Sequence, residues 1–120
     1  MYKHIINRNF CPIVKGSTQK EKKFTLTDDN GPVDLTGASI KMQLKTQPDG
    51  PVEYEFSSTG ISPEFVIDED PLSGIFRMVE MVITINPFNY IYDLQIHLNS
   101  GVKLTPMRGF YPVEAEITYP

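Results

Sequence analysis

Nucleophilic catalysis needs a base within reach of the nucleophile, and His4 and His97 are the two imidazoles in this chain. His97 stands in Tyr90–Leu98, where it alternates with Tyr92, Leu94, Ile96 and Leu98. A period of two sends it to the solvent face, the place of a surface histidine rather than a base. His4 has no acidic neighbour in sequence and reads as solvated. Cys11 precedes Pro12 with no histidine nearby, which predicts a small, partly buried apolar side chain. Asp28-Asp29-Asn30-Gly31 echoes a calcium loop but lacks the spaced acidic ligands and the distal glutamate, so a turn is the better reading. Asp68-Glu69-Asp70 reads as a solvated acidic loop with room for weak divalent binding at most. No glycine-rich phosphate loop is present. The pattern predicts no catalytic residue, no metal site and no cofactor.

Aromatic side chains offer a second kind of chemistry. Tyr54, Tyr90, Tyr92, Tyr111 and Tyr119 could line a sugar-binding platform. At strand spacing such rings are more often core or sheet-face groups with a polar tip. Tyr92 is a candidate to bond nearby backbone, as tyrosines do at sandwich corners. Nucleic-acid binding asks for a basic face, and the body of this chain is acidic. The formal net charge is −4, unevenly placed: residues 1–23 carry +5 and the remainder −9. Such asymmetry suggests a basic arm suited to an acidic partner.

These groups must be carried by some scaffold. At 120 residues the chain is one domain with one real core. Ten prolines and eight glycines favour many short strands. No window keeps apolar residues at i, i+3, i+4 and i+7 over three turns without Gly or Pro, and the best helical candidate is a turn near Pro87-Phe88-Asn89. The organising stretch is Asp28–Leu44. Phe24-x-Leu26 precedes it and Ile40-x-Met42-x-Leu44 closes it, both with strand period. Between them Asn30, Gly31, Asp34, Thr36 and Gly37 are the structural turn residues. Ser39–Lys45 and Val52–Phe56 form a hairpin across Pro48-Asp49-Gly50-Pro51. Tyr90–Leu98 and a return strand form another across Asn99-Ser100-Gly101, with Gly101 as its turn residue. Pro106 and Gly109 punctuate the return, and Val113, Ala115 and Ile117 point inward. Ile75–Ile85 predicts a bulged strand or two strand pieces, with Met78 and Met81 as core filler. The expected fold is all-β, an Ig-like or Greek-key β-sandwich of about seven to nine short antiparallel strands.

The expected division is a basic N-terminal arm over 1–21 and a β-sandwich domain over 22–120. The arm is weakly periodic, and its apolar pairs Ile5-Ile6 and Ile13-Val14 would be poorly used on a free tail. Ile5, Ile6, Arg8, Ile13, Val14 and Lys15 are therefore candidate partner-binding residues, ordered by a neighbouring subunit through an added strand or an acidic groove. The alternative, that this stretch supplies the domain's own first strand, stays open. A single cysteine excludes an internal disulfide. Lys3 and Arg8 with no apolar h-region predict no signal peptide, and no run approaches a membrane span.

The order of motifs adds a resemblance. Gly31-Pro32-Val33-Asp34-Leu35-Thr36-Gly37 is followed by Tyr90, Tyr92, Asp93 and Leu94, then by Gly101, Gly109, Val113, Glu116, Ile117 and Thr118. Over roughly residues 22–118 this resembles small tail- and baseplate-associated virion proteins of bacteriophages, most of all the N-terminal β-sandwich domain of the phage baseplate upper protein family. Met78–Phe88 departs from the family pattern, where a Thr-rich strand and a short Leu/Ala turn precede the Tyr strand. The resemblance implies a structural virion protein, an anchoring module of tail or baseplate with no appended arm after Thr118. It would be made in the host cytoplasm and present in multiple copies. Its partners would be other virion proteins of tail, baseplate or capsid, with no nucleic acid and no membrane. A capsid decoration or head-fibre protein is the alternative, and a carbohydrate-binding module a third reading that rests on the tyrosines.

Overall fold

Alternation of apolar and polar residues, rather than long apolar runs, builds the sheets. The computed structural model of the chain describes residues 6, 7 and 9–116. In chain order the strand segments are β1 (Ile6–Asn7), β2 (Ile13–Val14), β3 (Thr18–Gln19), β4 (Lys22–Thr25), β5 (Thr27–Asp28), β6 (Gly31–Pro32) and β7 (Ser39–Lys45). They continue as β8 (Tyr54–Ser57), β9 (Phe65–Ile67), β10 (Ile75–Met78), β11 (Met81–Val82), β12 (Phe88–His97) and β13 (Lys103–Glu114). The large sheet runs β1-β13-β12-β7-β8, with β2 also on β13, and the smaller one runs β4-β10-β9. Short ribbons β11-β3 and β5-β6 complete the ladders.

The fold is all-β and sandwich-like. Ile40, Met42 and Leu44 of β7 and Tyr90, Tyr92, Leu94 and Ile96 of β12 face inward from the large sheet. Phe24, Phe65, Phe76 and Met78 face them from the smaller one, and all join one apolar core. Burial of these faces is the main driving force for the two-layer arrangement.

Proline and glycine do not break the last strand. Leu94 pairs with Met107 and Ile96 with Leu104, so two residues of advance along β12 match three along β13. A bulge of this kind accommodates a residue without an N–H, and β13 continues past Pro106 and Gly109 to Glu114. The Pro87-Phe88-Asn89 stretch is not a helical turn, because Phe88 and Asn89 already pair with Val113 and Pro112. The helical turn among the described residues is the 3-10 turn Pro71–Ser73, capped by Asp70. The 75–85 run is two strand pieces, β10 and β11, with Met78 fully buried and Met81 packed partly buried against the core.

The N-terminal segment requires a correction. From residue 9 on it is not a separate arm but part of the sandwich. Phe10 is 7% exposed, with its ring 5.1 Å from that of Tyr92 and 5.0 Å from that of Tyr111. β2 lies parallel to Val113–Glu114, and β1 lies parallel to Met107–Arg108. The sandwich is therefore not wholly antiparallel. β3 pairs with β11, and Gln19 is buried. These strands are two residues long and separated by Pro12 and Gly16, too short to show a period. Two smaller corrections follow from the same region and the chain's other end: Cys11 is exposed rather than partly buried, and Ala115 is exposed rather than inward. Ile117 lies outside the described residues.

Phe10→Ala should destabilise the isolated domain by about 3–5 kcal/mol in urea unfolding. Cys11→Ser next to it should stay within about 0.5 kcal/mol. Equal midpoints for Phe10→Ala and wild type would show that the segment does not belong to the core.

Candidate interaction surface

The turn residues do local work. Asp28 Oδ1 accepts from the Asn30 N–H at 2.8 Å, shaping the β5–β6 hairpin that includes Gly31. Asp34 Oδ1 accepts from the Thr36 hydroxyl at 2.6 Å and the Thr36 N–H at 2.9 Å. Those two bonds hold the Asp34 carboxyl below its ordinary pKa. Gly37 has φ +70° with the Asn99 side chain 3.1 Å from where a Cβ would stand, so this loop rests on the tip of the β12–β13 hairpin. There Gly101 donates to the Leu98 carbonyl at 2.9 Å.

The candidate partner-binding residues that the structure describes are engaged within the chain. Ile13 and Val14 are half-buried in β2, and Ile6 pairs with Met107. Lys15 Nζ donates to Asn86 Oδ1 at 3.1 Å. Ile5, Arg8 and His4 lie outside the described residues.

The tyrosines do not make a platform. Tyr111 donates to Gln19 Oε1 at 2.6 Å, and the Gln19 amide reaches Met78 sulfur at 3.2 Å. Tyr90 donates to the Asn86 carbonyl at 2.6 Å, and Tyr54 hydroxyl accepts from the Asn86 N–H at 3.2 Å. Tyr90 thus makes a backbone bond of the kind considered for Tyr92. Burial pushes the Tyr90 phenol up to about 12, helped by neighbouring Tyr54 and Glu53. Burial also raises Tyr111. Tyr119 lies outside the described residues. His97 is on the outer face but recessed among Ser39, Lys41, Glu55 and Thr59, and its Nε2 is shielded from solvent without a hydrogen-bond partner. The acidic run is structural as well. Asp68 accepts from Arg77 at 2.9 Å, which together with the Asp70 N–H lowers its pKa. Among the described residues no group of three or more His, Cys, Asp or Glu is arranged to hold a metal ion.

What the geometry does offer is surface. Register places Lys41, Gln43, Ile91, Asp93, Arg108 and Phe110 on the outer face of the large sheet. The outward side chains of Ile91, Asp93, Arg108 and Phe110 rise around the backbone of Tyr92 and Gly109, which themselves face inward. The result is a hollow of about 380 Å³ with Pro48, Ile91 and Phe110 on its walls and Lys45 and Arg108 at its rim. A second groove, of about 400 Å³, runs between Pro63 and the Val79–Ile85 segment. Phe110 is 44% exposed, Val82 57% and Leu72 62%.

Residues 9–94 match the family model described as the BppU N-terminal domain, that of the baseplate upper protein. The chain belongs to this family. No curated protein matches it. The match begins one residue before Phe10, inside the segment that charge alone had set apart, and it ends at Leu94 in β12. As a BppU N-terminal domain, the protein is a structural component of the phage tail or baseplate and associates with other virion proteins. No helix among the described residues is long and apolar enough to cross a membrane. Sequence reasoning missed Phe10, Gln19 and the hollow. A lone aromatic in a polar segment signals the first, but nothing local signals the other two, which depend on register.

Two measurements check this description. The folded state holds the Tyr90 and Tyr111 phenols protonated, so their contribution is complete below the ordinary value near 10 and lost as pH rises toward about 12. Their tyrosinate absorbance should appear only together with alkaline unfolding. Titration of all tyrosines near pH 10 in a still-folded domain would contradict it. Separately, Gly37→Val should cost about 1–3 kcal/mol in thermal unfolding, since a β-branched residue resists positive φ. No loss would mean the loop relaxes freely.

Proposed function

We propose that this domain is an assembly and anchoring module at the tail end of the virion, acting through protein–protein contacts and without catalysis or a cofactor. The observation that carries the reading is the family match across residues 9–94, which takes in the N-terminal segment, the whole smaller sheet and the centre of the large one. The surface suits the role. Exposed apolar side chains such as Leu72 and Phe110 stand among charged neighbours, the composition of an interface with an apolar centre and a polar rim. The side chains that invite a chemical role are occupied structurally: the hydroxyls of Tyr54, Tyr90 and Tyr111 and the carboxylate of Asp68 all hold parts of this fold together.

Antibody labelling of intact virions, viewed by electron microscopy, tests the placement. Label at the tail end is the expected result. Label over the head would overturn it in favour of a decoration or head-fibre protein.

A further inference from the structure

Charge is not spread evenly over the two layers. Of the five cationic side chains after residue 23, Lys41, Lys45, Lys103 and Arg108 stand on the outer face of the large sheet. The fifth, Arg77, lies in the smaller sheet and is bound by Asp68 at 2.9 Å and Glu21 at 3.9 Å. Two carboxylates, Glu55 and Asp93, share that face, and another group lies elsewhere. Asp68-Glu69-Asp70 leads into the 3-10 turn, and the β5–β6 hairpin, whose flanks bond to that turn, carries Asp28 and Asp29. Backbone bonds from Leu26 to Gly74 at 2.8 Å, from Val33 to Leu26 at 3.0 Å and from Leu35 to Pro71 at 2.9 Å tie the two loops together.

The acidic turn is rigid and carries an apolar tip. Asp70 Oδ1 accepts from the Leu72 N–H at 3.1 Å, and Ser73 Oγ donates to the Asp70 carbonyl at 2.7 Å. Gly74 closes it at φ +70°, where a Cβ would run into the Leu26 carbonyl. Leu72 projects 62% exposed from this frame, with Glu69 exposed beside it. Ordering such a turn on binding costs little, because it is already ordered. The hollow at Gly109 is its complement in both respects: Pro48, Ile91 and Phe110 line it and Lys45 and Arg108 flank it. Asp93, a carboxylate on the same rim, is held by the Gln95 amide at 3.3 Å.

We propose that Leu72 and the acidic turn of one copy seat in the Gly109 hollow of a second copy of this chain, with Glu69 and Asp70 facing Lys45 and Arg108. Turn and hollow are different surfaces, so the contact is heterologous, and its repetition yields a closed ring or an open row. The apolar centre sets the lifetime of the contact, and the charged rim sets its rate of formation and its salt sensitivity. The proposal rests on the assembly reading above and names the contact that assembly uses.

Sedimentation velocity of the full chain tests it. Wild type should self-associate at low salt and less so at high salt. Leu72→Asp and Arg108→Glu alter exposed side chains, so both should melt like wild type while associating at least about tenfold more weakly. Glu69→Lys should also lose association alone, and mixing it with Arg108→Glu should restore an assembly that neither forms by itself. A wild-type chain that stays monomeric, variants that associate as wild type does, or a mixture that stays apart would each overturn the contact. Those failures leave the tail placement standing, since labelled virions report it independently.

Discussion

The hydroxyl of Tyr111 is buried at the centre of the sandwich, and a buried donor without a partner is costly. Gln19 meets it, and the same amide reaches across to Met78 on the smaller sheet. One polar contact therefore links the last long strand, the N-terminal segment and the second layer. Phe10 completes it by packing edge-on to Tyr111 and tilted against Tyr92. Without this arrangement β13 would expose an unpaired edge and Tyr111 would be stranded. β1 and β2 cover that edge in parallel, an economical protection against unwanted strand pairing.

Closing one edge leaves the outer face of the large sheet as the broad surface available for contact. Its features come from register. Tyr92 and Gly109 pair facing inward, so only their backbone floors the gap on the outer face, and Ile91 beside Phe110 makes its wall apolar. A rigid two-layer scaffold that presents such a gap is well suited to a virion component, where contacts must form with little conformational cost. The family match begins at residue 9 and so includes Phe10 and Gln19. It thus takes in the two residues that meet Tyr111, while Tyr111 itself lies beyond its end at Leu94.

Much of this fold is legible in the sequence, and the parts that are not have physical reasons. β7 and β12 alternate over seven and ten residues, long enough for period two to declare both the strand and its buried face. The hairpin turns are legible because Pro48-Asp49-Gly50 and Asn99-Ser100-Gly101 have few other uses. The N-terminal segment is illegible because its strands are two residues long and are held by pairings about a hundred residues away in sequence. Charge pointed there to an arm, yet lysines can stand at a surface while their neighbours enter the core; Lys22 lies over the Phe10 ring itself. Pro106 suggested a break where a bulge absorbs it. The outward direction of His97 follows from alternation, but its recess does not, since Ser39 and Thr59 come from other strands and loops. The hollow is invisible for the same reason: its walls meet only once strand pairing sets Gln43 beside Asp93 and Ile91 beside Phe110.

Hydrogen exchange on the monomeric chain, read residue by residue, tests most directly whether the N-terminal segment is intrinsic to the domain. The amides of Phe10, Lys15 and Gly16 bond to Phe110, Glu114 and Ile83. Their exchange should slow to the rate set by global unfolding, as for core amides of β12. Exchange at the rate of an unstructured peptide, with β12 still protected, would contradict the account and return the segment to a partner.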